Sequence, residues 1–145
     1  MRIDNSIKIE FLSKSANEGF ARVAIAAFAS QLDPTLEEIS EIKTAVSEAV
    51  TNCIVHGYRD KIGKIYITAK LNKNKLIICV RDKGCGIENI EKAREPLFTT
   101  GNENERSGMG FTIMESFMNK INVRSELGKG TKVTMIKILD TKNGI

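Results

Sequence analysis

The sequence predicts one α/β domain, and three observations carry that expectation. Some segments alternate apolar and polar residues as strands do, while others repeat apolar residues at three- and four-residue spacing as helices do. The chain has 145 residues, the length of one domain, and no internal repeat, low-complexity tract or linker divides it. A domain of that length buries roughly 68–70% of its unfolded surface, enough for a core without covalent staples.

Ser6 to Leu12 alternates, with Ile7, Ile9 and Phe11 on one face, and reads as a first strand. Ser15-Ala16-Asn17-Glu18 has the form of a capping box. Phe20, Val23, Ala24, Ala27 and Phe28 follow at helical spacing, so a first helix is expected to run to about Gln31. Asp33-Pro34 breaks it. Thr35-Leu36-Glu37-Glu38 is a second capping box, opening a helix with the stripe Ile39, Ile42, Val46, Ala49 and Cys53, and Gly57 is placed to end it. Glu48 and Asn52 stand one helical turn apart on one face, and Thr44 extends their polar line. Lys64 to Leu71 and Lys75 to Arg81 read as a hairpin around Asn72-Lys73-Asn74. From Ile87 to Ser107 the periodicity fades, and a loop this long within a compact domain is usually functional or disordered. Helical spacing returns from Met109 to Met118. Ile121 to Ser125 and Thr131 to Leu139 then close the chain as two strands around Gly128-Lys129-Gly130.

Composition excludes several classes. The net charge of +4 is spread along the chain without a basic block, which argues against direct nucleic-acid binding. Cys53, Cys79 and Cys85 have no zinc spacing, and Cys53 and Cys79 read as small buried hydrophobes. An odd cysteine count with no signal peptide fits a reducing cytoplasm. No apolar run approaches the roughly 20 residues a membrane span requires.

Three segments carry chemistry. Asp82-Lys83-Gly84-Cys85-Gly86 follows the apolar run Leu76 to Val80, so a carboxylate stands at a strand end before a tight Gly-x-Gly turn. Such a carboxylate can accept a hydrogen bond from the exocyclic amino group of adenine, with Gly84 and Gly86 leaving room for the base. Upstream, Asn52 offers a neutral amide oxygen, and Mg²⁺ takes hard oxygen ligands while keeping waters and phosphates. Downstream, Gly108 and Gly110 open a third helix, whose N-terminal N–H groups suit anionic phosphates. No Walker pattern and no eukaryotic-type kinase set is present.

Glu48-x-x-x-Asn52, Asp82-x-Gly84-x-Gly86 and Gly108-x-Gly110, in this order, resemble the three boxes of the GHKL ATPase and kinase superfamily. Phe11 through Gln31, Leu32 to Thr35, Ser47 to Asn52, His56-Gly57-Tyr58, Pro96 to Thr100 and Arg106 to Glu115 are similar to its sporulation anti-sigma-F family, and the resemblance runs from about Ile7 to Ile138. It implies a two-layer α/β sandwich, with helices on one face of a mixed, mainly antiparallel sheet. It implies an ATP- and Mg²⁺-dependent serine kinase that sequesters a sigma factor and phosphorylates a serine of an anti-anti-sigma protein, and it implies a homodimer. In that reading Asn52 holds Mg²⁺, Glu48 is the general base and Asp82 contacts adenine. Ser107, Gly108, Met109 and Gly110 cradle phosphates beneath a lid carrying Thr99 and Thr100, and Thr131 supports adenine through water. Arg22 matches a partner contact. Arg106 stands where either phosphates or a partner protein could meet it. Where the family pattern is Thr-Thr-Lys-Pro, this chain has Thr99-Thr100-Gly101-Asn102, replacing a stiff positive segment by a flexible neutral one.

Blander readings exist for each residue. A turn aspartate, a solvated helix glutamate and a solvated helix arginine are the ordinary fates of Asp82, Glu48 and Arg22. His56 is the sole histidine and reads better as a polar residue near a helix end than as a phosphoacceptor. A sigma-binding module that uses ATP without phosphotransfer, or a detached histidine-kinase catalytic domain, are the alternative functions. A base beside the metal ligand speaks against the first, and the absence of an acceptor domain speaks against the second.

Overall fold

The computed structural model describes residues 2–95 and 107–140, with the main chain alone at 107–109. Strand β1 (Asn5–Leu12) leads into helix α1 (Ala16–Ala29), a 3₁₀ turn at Ser30–Leu32 and helix α2 (Leu36–Asn52), which runs on into a π-helical turn at Cys53–Gly57. The hairpin β2 (Lys64–Asn72) and β3 (Lys75–Asp82) follows. Then come the short helix α3 (Ile90–Ala93), helix α4 (Ser107–Phe117) and the hairpin β4 (Lys120–Glu126) and β5 (Gly130–Ile138). The sheet order is β1-β2-β3-β5-β4, and every neighbouring pair is antiparallel. The expected mainly antiparallel sheet is thus antiparallel throughout.

Alternation places one set of sheet side chains under the helices. Ile65, Ile67, Ile78, Val80 and Met135 are buried there, against Ile25, Ile42, Val46, Val50 and Met114 of the helices. Lys137 points inward from β5 and remains buried because its charge is met. Its Nζ donates to Glu41 Oε1 of α2 at 2.8 Å and to the Phe117 carbonyl at the end of α4 at 2.6 Å. This contact fixes α4, and so the helix start that the site uses, against α2 and the sheet.

The two expected helix starts behave differently. At α2 the capping box forms: Glu38 N–H donates to Thr35 Oγ1 at 3.0 Å, and Thr35 N–H donates to Glu38 Oε1 at 2.9 Å. At α1 the Ser15 side chain makes no cap bond. Its intended partner Glu18 instead pairs with Arg22 at 3.1 Å.

The buried face of α1 also differs from expectation. Ala21, Ile25, Phe28 and Ala29 are buried, whereas Phe20 is 60% and Val23 55% exposed. Residues 23–29 are apolar without interruption, so two stripes satisfy helical spacing and periodicity alone does not choose between them. Contact with α2 and β2 decides it.

Candidate functional site

A cavity of about 620 Å³ opens between α2, the 84–89 segment and the ends of β3 and β5, with Asn52, Asp82, Ile87, Phe111 and Thr131 in its walls. Asp82 stands at its base, 4% exposed. The Gly84 N–H donates to Asp82 Oδ1 at 2.9 Å, and the Cys53 thiol and Thr131 N–H also bond the carboxylate. Burial is the largest influence on Asp82 and raises its pKa above the ordinary carboxylate value, while these three donors pull it down. Burial, with Asp82 adjacent, pushes the Cys53 thiol well up, so it stays protonated and able to donate. Cys53 is therefore more than the small hydrophobe its apolar stripe suggests, a role visible only once Asp82 folds over α2.

The glycines around Asp82 serve close main-chain contact. A Cβ on Gly84 would lie 2.1 Å from the Gly57 carbonyl oxygen, and one on Gly57 would lie 2.7 Å from Asp82 Oδ2. The expectation that Gly84 leaves room for a base is corrected: its space is taken by residue 57, and among the described residues Gly86 rather than Gly84 borders the cavity. Gly86 has φ +80° and would strain with any side chain. The segment is pinned by Cys85 N–H to the Gly57 carbonyl at 2.9 Å and by Gly128 N–H to the Cys85 carbonyl at 2.8 Å. A hydrogen bond from Ile87 N–H to Ser125 Oγ at 2.7 Å adds a third tie.

Glu48 and Asn52 meet the start of α4. A Cβ built on Gly110 would stand 3.3 Å from both polar atoms of the Asn52 amide and 3.5 Å from Glu48 Oε1. Glu48 is 8% exposed, so it is not the solvated glutamate of the bland reading. Helix α4 begins at Ser107, one residue ahead of the Gly108 expected to open it. Thr131 pairs with Asp82 across β3 and β5 and borders the cavity. His56 and Arg59 also line it. Arg22 does not, and it lies half-exposed on α1 beside Glu18. Thr99, Thr100, Gly101, Asn102 and Arg106, together with the side chains of Ser107 and Met109, lie outside the described residues.

Sequence reasoning missed Cys53 as a donor, Ser125, and Tyr58, whose hydroxyl donates to the Lys64 carbonyl and accepts from Lys83 N–H at 2.8 Å. Burial raises the Tyr58 pKa. Among the described residues no group of three or more His, Cys, Asp or Glu is arranged to hold a metal, and no helix is long and apolar enough to cross a membrane.

The site therefore consists of a buried strand-end carboxylate at the base of a cavity, beside a glycine-bearing helix start, with helices on one face of an antiparallel sheet. A family profile described as the histidine kinase-like ATPase domain matches residues 12–137. The chain is 60% identical over 139 residues to the anti-sigma F factor of Thermoanaerobacter sp. (strain X514), spanning 96% of this chain and 97% of that one. It is 58% identical over 138 residues to the anti-sigma F factor of Clostridium kluyveri (strain ATCC 8527 / DSM 555 / NBRC 12016 / NCIMB 10680 / K1), spanning 95% and 97%. The chain belongs to the anti-sigma F factor family of the histidine kinase-like ATPases. Its fold matches the RsbU and RsbW domains of Rv1364c from Mycobacterium tuberculosis with a TM-score of 0.67 at 18% identity, over 93% of this chain and 32% of that one. It also matches the catalytic domain of the histidine kinase ThkA with a TM-score of 0.58 at 19% identity, over 92% and 96%.

Proposed function

We propose that this chain, as one domain over residues 1–145, is an anti-sigma factor that sequesters a sigma factor and is also an ATP-dependent serine kinase. Its phosphorylation substrate is the anti-anti-sigma antagonist. The convergence of Glu48, Asn52 and Gly110 carries the kinase half, because a buried carboxylate, a hard-oxygen amide and a helix start meet within a few ångströms. The family membership carries the sigma-factor half.

In this reading Asp82 accepts from the adenine amino group, Thr131 supports the base through water, and Gly86 lets the base lie against the main chain. The main chain of Ser107 to Gly110 receives phosphates, with Thr99, Thr100 and Arg106 near them. Asn52 presents one neutral amide oxygen, which fits Mg²⁺ held together with phosphates and waters; the ion would neutralise phosphate charge. Glu48 accepts the substrate hydroxyl proton as the serine oxygen bonds to the γ-phosphorus and the bond to the bridging oxygen of ADP breaks. Arg22 and the exposed Phe20 and Val23 beside it form the partner surface on α1, in a homodimer working in the cytoplasm. Incubation with labelled ATP, Mg²⁺ and the candidate anti-anti-sigma protein, followed by phosphosite mapping, tests the reading. Label on a serine of the substrate supports it, and no transfer despite sigma-factor capture refutes the kinase half.

A further inference from the structure

Ser125 has no part in the function as proposed and does not line the cavity, yet its hydroxyl holds three groups at once. It accepts from Ile87 N–H at 2.7 Å, lies 2.9 Å from the Gly130 carbonyl oxygen and lies 2.8 Å from Thr131 Oγ1. A serine hydroxyl has one proton. The Gly130 carbonyl can only accept, so the Ser125 proton goes to it. The remaining contact is then satisfied only if the Thr131 hydroxyl donates to Ser125. The opposite assignment would press two oxygen lone pairs together at 2.9 Å. With its proton turned back to Ser125, Thr131 offers lone pairs alone to the cavity. Its neighbour across the strands, Asp82, already takes three donors and also offers only acceptor capacity. This stretch of wall thus consists of acceptors.

We propose that Ser125 is a positioning residue that fixes Thr131 as an acceptor, and so makes the cavity select 6-amino over 6-oxo purine nucleotides. The inference rests on the nucleotide reading of the cavity. A 6-amino group brings two donors to an acceptor wall. A 6-oxo group brings an acceptor, and buried acceptors facing one another are left without partners. A water held between Asp82 and an acceptor Thr131 donates to both and shows the base only lone pairs; without the Ser125 hydroxyl, Thr131 is free to donate to that water, which can then turn a proton toward a 6-oxo group. The loss of the Ile87 tie loosens the 84–89 segment for every nucleotide alike, so overall affinity does not report on the proposal, whereas the ratio between nucleotides does.

The test is calorimetric titration of the full chain with ATP, ITP and purine riboside triphosphate, which lacks a 6-substituent. The parent is expected to bind them in the order ATP, purine riboside triphosphate, ITP. In Ser125→Ala the ATP-to-ITP affinity ratio is expected to fall about tenfold, and Ser125→Thr, which keeps the hydroxyl, is expected to restore it. A Ser125→Ala variant that binds ATP and ITP with the parent ratio overturns the assignment. So does a parent that binds ITP as tightly as purine riboside triphosphate, a result that needs no variant to fold. A parent that binds no purine nucleotide overturns the nucleotide reading itself, whereas ATP binding with unmoved selectivity overturns only the role of Ser125.

Discussion

Replacing Asp82 by asparagine separates what this carboxylate does for the ligand from what it does for the fold. In the folded chain it is 4% exposed and receives Gly84 N–H at 2.9 Å, the Cys53 thiol and Thr131 N–H. An amide keeps one acceptor oxygen and puts an NH₂ group where donors already point. Losing a hydrogen bond to a charged group costs about 1.5–3 kcal/mol, which weakens ATP binding by about 10–150-fold. The fold responds differently. Burial holds the Asp82 pKa above its unfolded value of 3.8, so the native state binds this proton more tightly than the unfolded one. Its contribution to stability is then full in acid, below 3.8, and is lost as pH rises through the raised native pKa. The amide has no such slope. At neutral pH the variant escapes the burden of a buried charge while leaving a donor poorly met, about 1–3 kcal/mol in the opposite direction, so the net shift in stability is small. Calorimetric titration and urea unfolding across the acid range check both halves. Unchanged nucleotide affinity would refute the adenine contact. A parent that gains stability over the variant as pH rises would refute the burial account of Asp82.

Gly84→Ala should destabilise by about 1–3 kcal/mol or more, because its Cβ would stand 2.1 Å from a main-chain oxygen that has nowhere to go. Gly128→Ala, with nothing within 4 Å, should lose only the strain of its φ of +81°; urea unfolding midpoints compare the two. Asn52→Ala should abolish the Mg²⁺ dependence of nucleotide affinity, and titration with and without Mg²⁺ reports it. Arg22→Ala should leave ATP binding intact while weakening capture of the sigma factor or the antagonist. Pull-down of both at parental strength would reject that contact.

Element types were legible because local signals agreed with the fold. The Thr35–Glu38 box, the Asn72 to Asn74 hairpin turn and the alternation of β1 needed no tertiary information. The buried side of α1 was not legible, since its run of alanines offers two apolar stripes and only the packing surface selects one. Ser15 shows a limit of motif reading: the spacing is right, yet Glu18 takes Arg22 as partner. At the site, Asp82, Asn52, Glu48 and Gly110 were legible as boxes; the fold puts Asp82 and Asn52 in the wall of one cavity and sets Gly110 beside Asn52 and Glu48. The residues behind them were not. Cys53 reaches Asp82 from another element, and Ser125 reaches Ile87 and Thr131 across a hairpin, contacts that no local pattern encodes. Gly84 was legible as a tight approach, but what approaches is residue 57 rather than a ligand.

Glu48→Gln tests the central claim, that this chain is a kinase and not only a sigma-binding module. Glu48 is buried beside the start of α4, and the amide keeps its shape while losing the capacity to take the serine proton. A positioned general base is typically worth about 10²–10⁴-fold in rate, and the loose transition state of phosphoryl transfer favours the lower end. Single-turnover transfer from ATP to the antagonist serine, with sigma-factor capture measured in parallel, is the most direct measurement. The account predicts a rate about a hundredfold lower with capture and ATP affinity preserved. A rate within a few fold of the parent would contradict it and leave positioning and Mg²⁺ as the whole of the catalysis.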